Sequence, residues 1–143
     1  MLPDLNRFHE IQPRYYETAL AEIHRGRKES HWIWFIFPQL AGLGHSRTSL
    51  YYGIRNLKEA RAYVRDPVLH GRLLEITRAL LEQPEPDIHR IFWAPDDRKV
   101  QSCMTLFQLA APEEALFQQV LDRFYDGERD RLTLELLEQL EQF

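Results

Sequence analysis

The stretch Ser30-His31-Trp32-Ile33-Trp34-Phe35-Ile36-Phe37-Pro38-Gln39-Leu40-Ala41-Gly42-Leu43-Gly44 decides how this chain folds. Six consecutive apolar residues fill Trp32 to Phe37, and two of the chain's three tryptophans sit among them. Burying each of these large side chains contributes about 1.5–3 kcal/mol before conformational entropy is subtracted. The other apolar residues form stripes at helical spacing, which need a surface to lie against, and this segment is that surface. A run with neither period 2 nor period 3.6 fits a buried strand or a short buried helix. Ser30 is a good N-cap, Pro38 stops either element, and no other segment reads as a partner strand, so a helix is expected. Gly42 and Gly44 then form a loop.

On the N-terminal side, Asp4 is placed to cap a helix with Leu5, Phe8 and Ile11 on one face, and Pro13 is expected to end it and start a second. In that second helix Tyr16, Ala19, Leu20 and Ile23 form the stripe, and Gly26 suits the position after its end. His24, Arg25, Arg27 and Lys28 crowd the negative pole of the helix, where they read first as structural and, as the alternative, as binding residues. On the C-terminal side, Ser46 to Tyr52 reads as a short helical turn ending near Gly53. Asn56-Leu57-Lys58-Glu59 has the capping-box layout, with Leu57, Ala60 and Val64 facing inward. Asp66-Pro67 starts a helix with the stripe Leu69, Leu73, Ile76 and Leu80, and Pro84-Glu85-Pro86 is a linker within the domain.

Asp87 caps a turn holding Ile88, Ile91, Phe92 and Trp93. Asp96 or Asp97 is expected to cap the following helix, whose stripe is Val100, Cys103, Met104, Phe107, Ala110 and Ala111. Pro112-Glu113-Glu114 restarts a helix with Leu116, Phe117, Val120, Leu121 and Phe124 on its apolar face and Gly127 at its end. Asp130 caps the last helix, with Leu136, Leu137, Leu140 and Phe143 on one side. The expected architecture is all-α, one compact domain over residues 1–143 with about eight helices of uneven length.

At 143 residues the chain can hold a core without help from a metal or disulfide. A net charge of −4 argues against duplex nucleic acid or an anionic membrane as partner. The single cysteine, Cys103, excludes an internal disulfide and suits a reducing compartment. Met1-Leu2-Pro3-Asp4-Leu5-Asn6-Arg7 has neither a basic n-region nor an apolar h-region, and no apolar run reaches the ~20 residues of a membrane span. A cytoplasmic protein of bacterial type is expected.

Chemistry is sparsely signalled. There is no Walker motif and no G-x-G-x-x-G, and the histidines at 9, 24, 31, 45, 70 and 89 include no H-E-x-x-H, so neither cofactor nor metal is expected. Cys103 lies in an apolar stripe and reads as a small hydrophobe. In Asp96-Asp97-Arg98-Lys99-Val100-Gln101-Ser102, Lys99 and Ser102 share a helical face, and Asp97 lies near the positive helix start. A charged, capped helix start explains these residues; the functional alternative is an anion or sugar-phosphate site. His31 reads as a rim histidine or, facing Asp97 and Lys99 across a cleft, as a general acid/base. The catalytic candidates are therefore His31 and Asp97. The ligand-binding candidates are Lys28, Trp34, Gln39, Ser46, Lys99 and Ser102, an aromatic wall with a polar rim.

Those two segments carry a family resemblance. Gly26-Arg27-Lys28, Ser30 through Leu40, Gly42-Leu43-Gly44, Glu59-Ala60-Arg61-Ala62-Tyr63, Asp96-Asp97-Arg98-Lys99 and Met104-Thr105-Leu106-Phe107 resemble the bacterial domain-of-unknown-function 1810 family, sometimes labelled calpastatin. The resemblance extends over nearly the whole chain and implies a compact, mostly helical single domain. It carries no established activity and so transfers no catalytic residue. The calpastatin label implies a disordered inhibitor, which this aromatic-rich sequence does not resemble. Trp93 departs from the family pattern, which favours glycine before the Pro-Asp-Asp segment, and a large ring there narrows any pocket beside Asp97. Two functions stay open. One is a small-molecule site, in its most concrete form a helical hydrolase of ADP-ribosyl or nucleotide-sugar conjugates. There Lys99 holds phosphate, Trp34 stacks a base, and His31 or Asp97 moves the proton. The other is a non-catalytic interaction module or homodimer that uses an exposed part of the aromatic wall.

Overall fold

The computed structural model describes residues 4–141, so Phe143, expected on the apolar side of the last helix, lies outside the described residues. Among the described residues the chain forms α1 (Asn6–Arg25), α2 (Ile33–Ile36), α3 (Arg47–Tyr52), α4 (Leu57–Arg65), α5 (Pro67–Leu81), α6 (Ile88–Phe92), α7 (Asp96–Ala110), α8 (Ala115–Tyr125) and α9 (Arg131–Glu141). The fold is all-α, as the stripes require. None of these helices is long and apolar enough to cross a membrane.

Local chemistry accounts for most boundaries. Ser46, Asn56, Asp66, Asp87 and Asp130 each accept a hydrogen bond from a backbone N–H in the first turn of the helix they precede. Gly26 ends α1 with φ 83°; its N–H donates to the Ile23 carbonyl, and that of Arg27 to Glu22, a Schellman closure. Several local expectations fail. Pro13 does not divide the N-terminal segment, and α1 runs through it for 20 residues. An interior proline costs about 3 kcal/mol. Phe8 and Gln12 before it and Tyr16, Ala19 and Ile23 after it are all buried on α1, and that packing outweighs the cost. Asp4 is not the N-cap of α1; Leu5 is, without a side-chain bond. Asp96 and Asp97 do not cap α7, because they are its first two residues and Pro95 precedes them. Leu140 is exposed, so the apolar side of α9 is narrower than its sequence suggests.

The aromatic stretch is helical for a single turn, α2, and Ser30 does not cap it. Beyond Phe37 the chain straightens: the Ala41 N–H donates to Ile54 O at 2.8 Å and the Ile54 N–H to Gln39 O at 2.7 Å, an isolated parallel bridge. Gly53 permits that approach, since a Cβ there would lie 2.5 Å from the Ala41 Cα.

The core is continuous. α7 packs against α4, α6, α8 and α9, and α1 against α2 and α5. A ladder of rings links four helices, with Phe8–Tyr63 centroids 5.2 Å apart, Tyr63–Phe107 5.1 Å and Phe107–Phe117 6.0 Å. Trp32, Phe37 and Phe92 form a second cluster at 5.8–6.3 Å that joins the aromatic stretch to α6.

Two polar anchors fix the approach to α2. Glu22, buried on α1, accepts from the N–H groups of Glu29 (2.7 Å) and Ser30 (3.0 Å), from Ser30 Oγ (2.5 Å) and from the Trp32 indole (2.9 Å). On the other side the Lys28 N–H donates to the Ile91 carbonyl of α6 at 2.7 Å. Burial alone would raise the Glu22 carboxyl, but the bonds from Ser30, Glu29 and Trp32 outweigh it and lower it from 4.5 to about 2. The folded chain therefore takes up this proton only at lower pH than the unfolded chain does. The ionised group contributes stability above pH 4.5, and that contribution vanishes as pH falls toward 2.

Glu22→Gln is expected to lower stability at pH 7 by about 3 kcal/mol. In urea unfolding between pH 2 and 7, the gap between wild type and variant should close from about pH 4.5 downward. A gap independent of pH would contradict this account of Glu22.

Candidate functional site

The turn held by Glu22 carries Lys28 and His31 toward the start of α7. The Lys28 side chain is buried; its ammonium binds the Ser30 carbonyl, lies 2.9 Å from Asp96 Oδ2 and sits 5.0 Å from the centre of the Trp32 ring. Lys99, one turn into α7, reaches the other oxygen of the same carboxylate at 3.1 Å and lies 5.9 Å from the Trp34 ring centre. One carboxylate thus serves two ammonium groups, which leaves an excess positive charge where the aromatic stretch meets α7.

Two clefts open on either side of this group. One, of about 410 Å³, lies between Tyr15, Trp34, Ser46 and the Lys28–Asp96–Lys99 cluster. The other, of about 620 Å³, is lined by Arg27, Glu29, Trp93 and Ala94. His31, exposed and on the rim, borders both, as do Lys28, Asp96 and Lys99.

Of the residues singled out in the sequence, Lys28, His31, Trp34, Ser46 and Lys99 come together at these clefts. Gln39, Ser102 and Asp97 line neither. Gln39 is buried, and its amide donates to the Phe37 carbonyl at 3.3 Å. Ser102 donates to Asp130 at 2.9 Å and to the Arg98 carbonyl at 3.1 Å, closing the gap to α9. Asp97 is buried with its Oδ2 2.5 Å from His89 Nδ1. The difference between neighbours is helical geometry, since a step of one residue turns the side chain by about 100°. Asp96 and Lys99 share the face toward the clefts, and Asp97 turns to α6. The sequence reading missed Asp96 as the shared counter-ion, as well as Tyr15, Arg27 and His89. Which of two adjacent aspartates faces a cleft depends on where the helix starts, and an N-cap reading moves that start.

Cys103 is fully buried, and burial pushes its thiol well above its ordinary range, the behaviour of a small hydrophobe. Trp93 is the strained residue of the region. Its φ of 61° and ψ of 152° belong to a conformation that glycine alone adopts freely. Its half-exposed ring lies under the Arg27 guanidinium, 4.7 Å from the centroid.

Residues 2–137 match the family described as "Protein of unknown function (DUF1810)". Among solved structures, the crystal structure of the conserved hypothetical protein Rv1873 from Mycobacterium tuberculosis is similar, with 42% identity and a TM-score of 0.92. The match covers 94% of this chain and 96% of that one. No curated protein matches.

At Trp93 the usual order of substitutions should invert. Trp93→Gly relieves the backbone and Trp93→Ala does not, so the glycine variant is expected to be more stable by about 1 kcal/mol or more. Thermal unfolding of the pair checks this; an alanine variant more stable than the glycine one would contradict the assigned conformation.

Proposed function

The chain belongs to the DUF1810 family, and from its geometry we propose that it binds a small anionic ligand carrying a planar ring. The ligand class is a nucleotide or an anionic sugar phosphate, seated between the aromatic stretch of residues 31–46 and the start of α7. The observation that supports this reading is the sharing of Asp96 by Lys28 and Lys99, at 2.9 and 3.1 Å, on a chain whose net charge is −4. Fully neutralised ammonium groups would hold the fold together and offer nothing to an anion. Here the second cation has half a partner, sits partly exposed, and stands beside an indole ring. A phosphate group satisfies that excess charge, and Tyr15, backed by the largely buried Trp34, offers an aromatic surface for a base. Ser46 and His31 supply hydroxyl and imidazole donors at the rim.

Titration calorimetry with ADP-ribose, AMP and ribose 5-phosphate tests the proposal. Micromolar binding by at least one of them is expected, weakened by salt as a charge contact requires. Lys99→Ala should weaken it about tenfold or more while leaving stability within about 1 kcal/mol of wild type. Absence of heat with all three, together with a dimer by light scattering, would replace the ligand site with an interaction module.

A further inference from the structure

Beyond the ligand cleft, and independent of it, the structure holds a second polar constellation. Asp97 is 3% exposed, and His89, whose Nδ1 lies 2.5 Å from Asp97 Oδ2, has its side chain 67% exposed. A carboxylate only accepts, so the proton of this bond sits on Nδ1, which makes Nε2 the nitrogen that can take up or release a second proton. The ring borders a cleft of about 500 Å³ with Arg27, Arg90, Trp93 and Ala94, three of which also line the larger of the two clefts beside Lys28.

The pair is poorly arranged for stability alone. The exposed imidazole covers little of the buried acid, and the second oxygen, Asp97 Oδ1, is buried with no hydrogen-bond partner among the described residues. An orphan of this kind is costly and is tolerated where the group does something else. A buried carboxylate behind an outward-facing imidazole fixes the ring's tautomer and orientation and meets the charge of an imidazolium when one forms.

We propose that His89 is a general base for hydrolysis of a small anionic ester whose negative group faces Arg27, since Arg90 on the same rim is already paired with Glu85 and Asp87, with Asp97 as its positioning residue. His89 Nε2 takes a proton from a water molecule as that oxygen forms its bond to the ester centre and the bond to the leaving oxygen breaks. The imidazolium, held by Asp97, returns the proton to the leaving oxygen.

The test is hydrolysis of p-nitrophenyl phosphate, an anionic ester, by the full chain, with inorganic phosphate as competitor. Wild type and the control His45→Gln, a variant of another exposed histidine, should hydrolyse it equally. His89→Gln should lose at least tenfold, and Asp97→Asn should lower kcat about tenfold with KM little changed. Millimolar phosphate should inhibit the wild type. His89 is exposed, so His89→Gln reports on the chemistry even where Asp97→Asn fails to fold. Equal rates for wild type and His89→Gln overturn the base, and hydrolysis indifferent to phosphate overturns the anionic class.

Discussion

One buried carboxylate decides where the aromatic stretch goes. Glu22 projects from the last turns of α1 and gathers two backbone N–H groups, a hydroxyl and an indole from the segment that follows. A buried charge is expensive unless its acceptor sites are filled, and this one is filled from within four residues of chain. The reversal after Gly26 is therefore a fixed turn. It sends Trp32 inward against Phe37 and Phe92, buries Lys28 beside Asp96 and leaves His31 at the surface. The large rings then supply the apolar burial that the polar anchor alone could not.

The clefts follow from that placement. Lys28 is bound to the turn through the Ser30 carbonyl and to α7 through Asp96, so the turn and the helix start are one unit. α7 is itself the central element of the core, with Val100, Cys103, Met104, Leu106 and Phe107 fully buried. A cation pair mounted on such a support loses little freedom on meeting a ligand, which favours affinity. The same helix start divides its charges by direction: Asp96 serves the lysines and Asp97 serves His89. Two adjacent residues thus join two different polar clusters because a helix turns between them.

What the sequence makes legible is what local physics decides. Ser46, Asn56, Asp66, Asp87 and Asp130 cap helices because a short polar side chain beside the first turn has its partner within three residues. The stripes of α5 and α7, and Phe117, Val120 and Leu121 of α8, are buried because helical spacing leaves them one face to hide. Pro13 misleads because the penalty is local and the compensation comes from packing of both halves of α1. Ser30 has the chemistry of a cap, yet its hydroxyl goes to a carboxylate eight residues earlier, a choice set by tertiary structure. Lys28, His31, Trp34, Ser46 and Lys99 are recognisable as site candidates by residue type and proximity in sequence. Asp97 and Ser102 share those features, and only the phase of α7 sends them to other partners. The His89–Asp97 pair spans a helix break at Trp93, so no periodic pattern connects its members.

The central claim is that Glu22 clasps the turn before α2 and so positions everything built on it. Hydrogen exchange at the Trp32 indole N–H and the Glu29 and Ser30 amides, followed by NMR in wild type and Glu22→Gln, measures that clasp directly. In the wild type these protons should exchange as slowly as amides of α7, and in the variant they should exchange at least a hundredfold faster while α7 keeps most of its protection. Equal protection of the three protons in both proteins would mean the turn is held by something else.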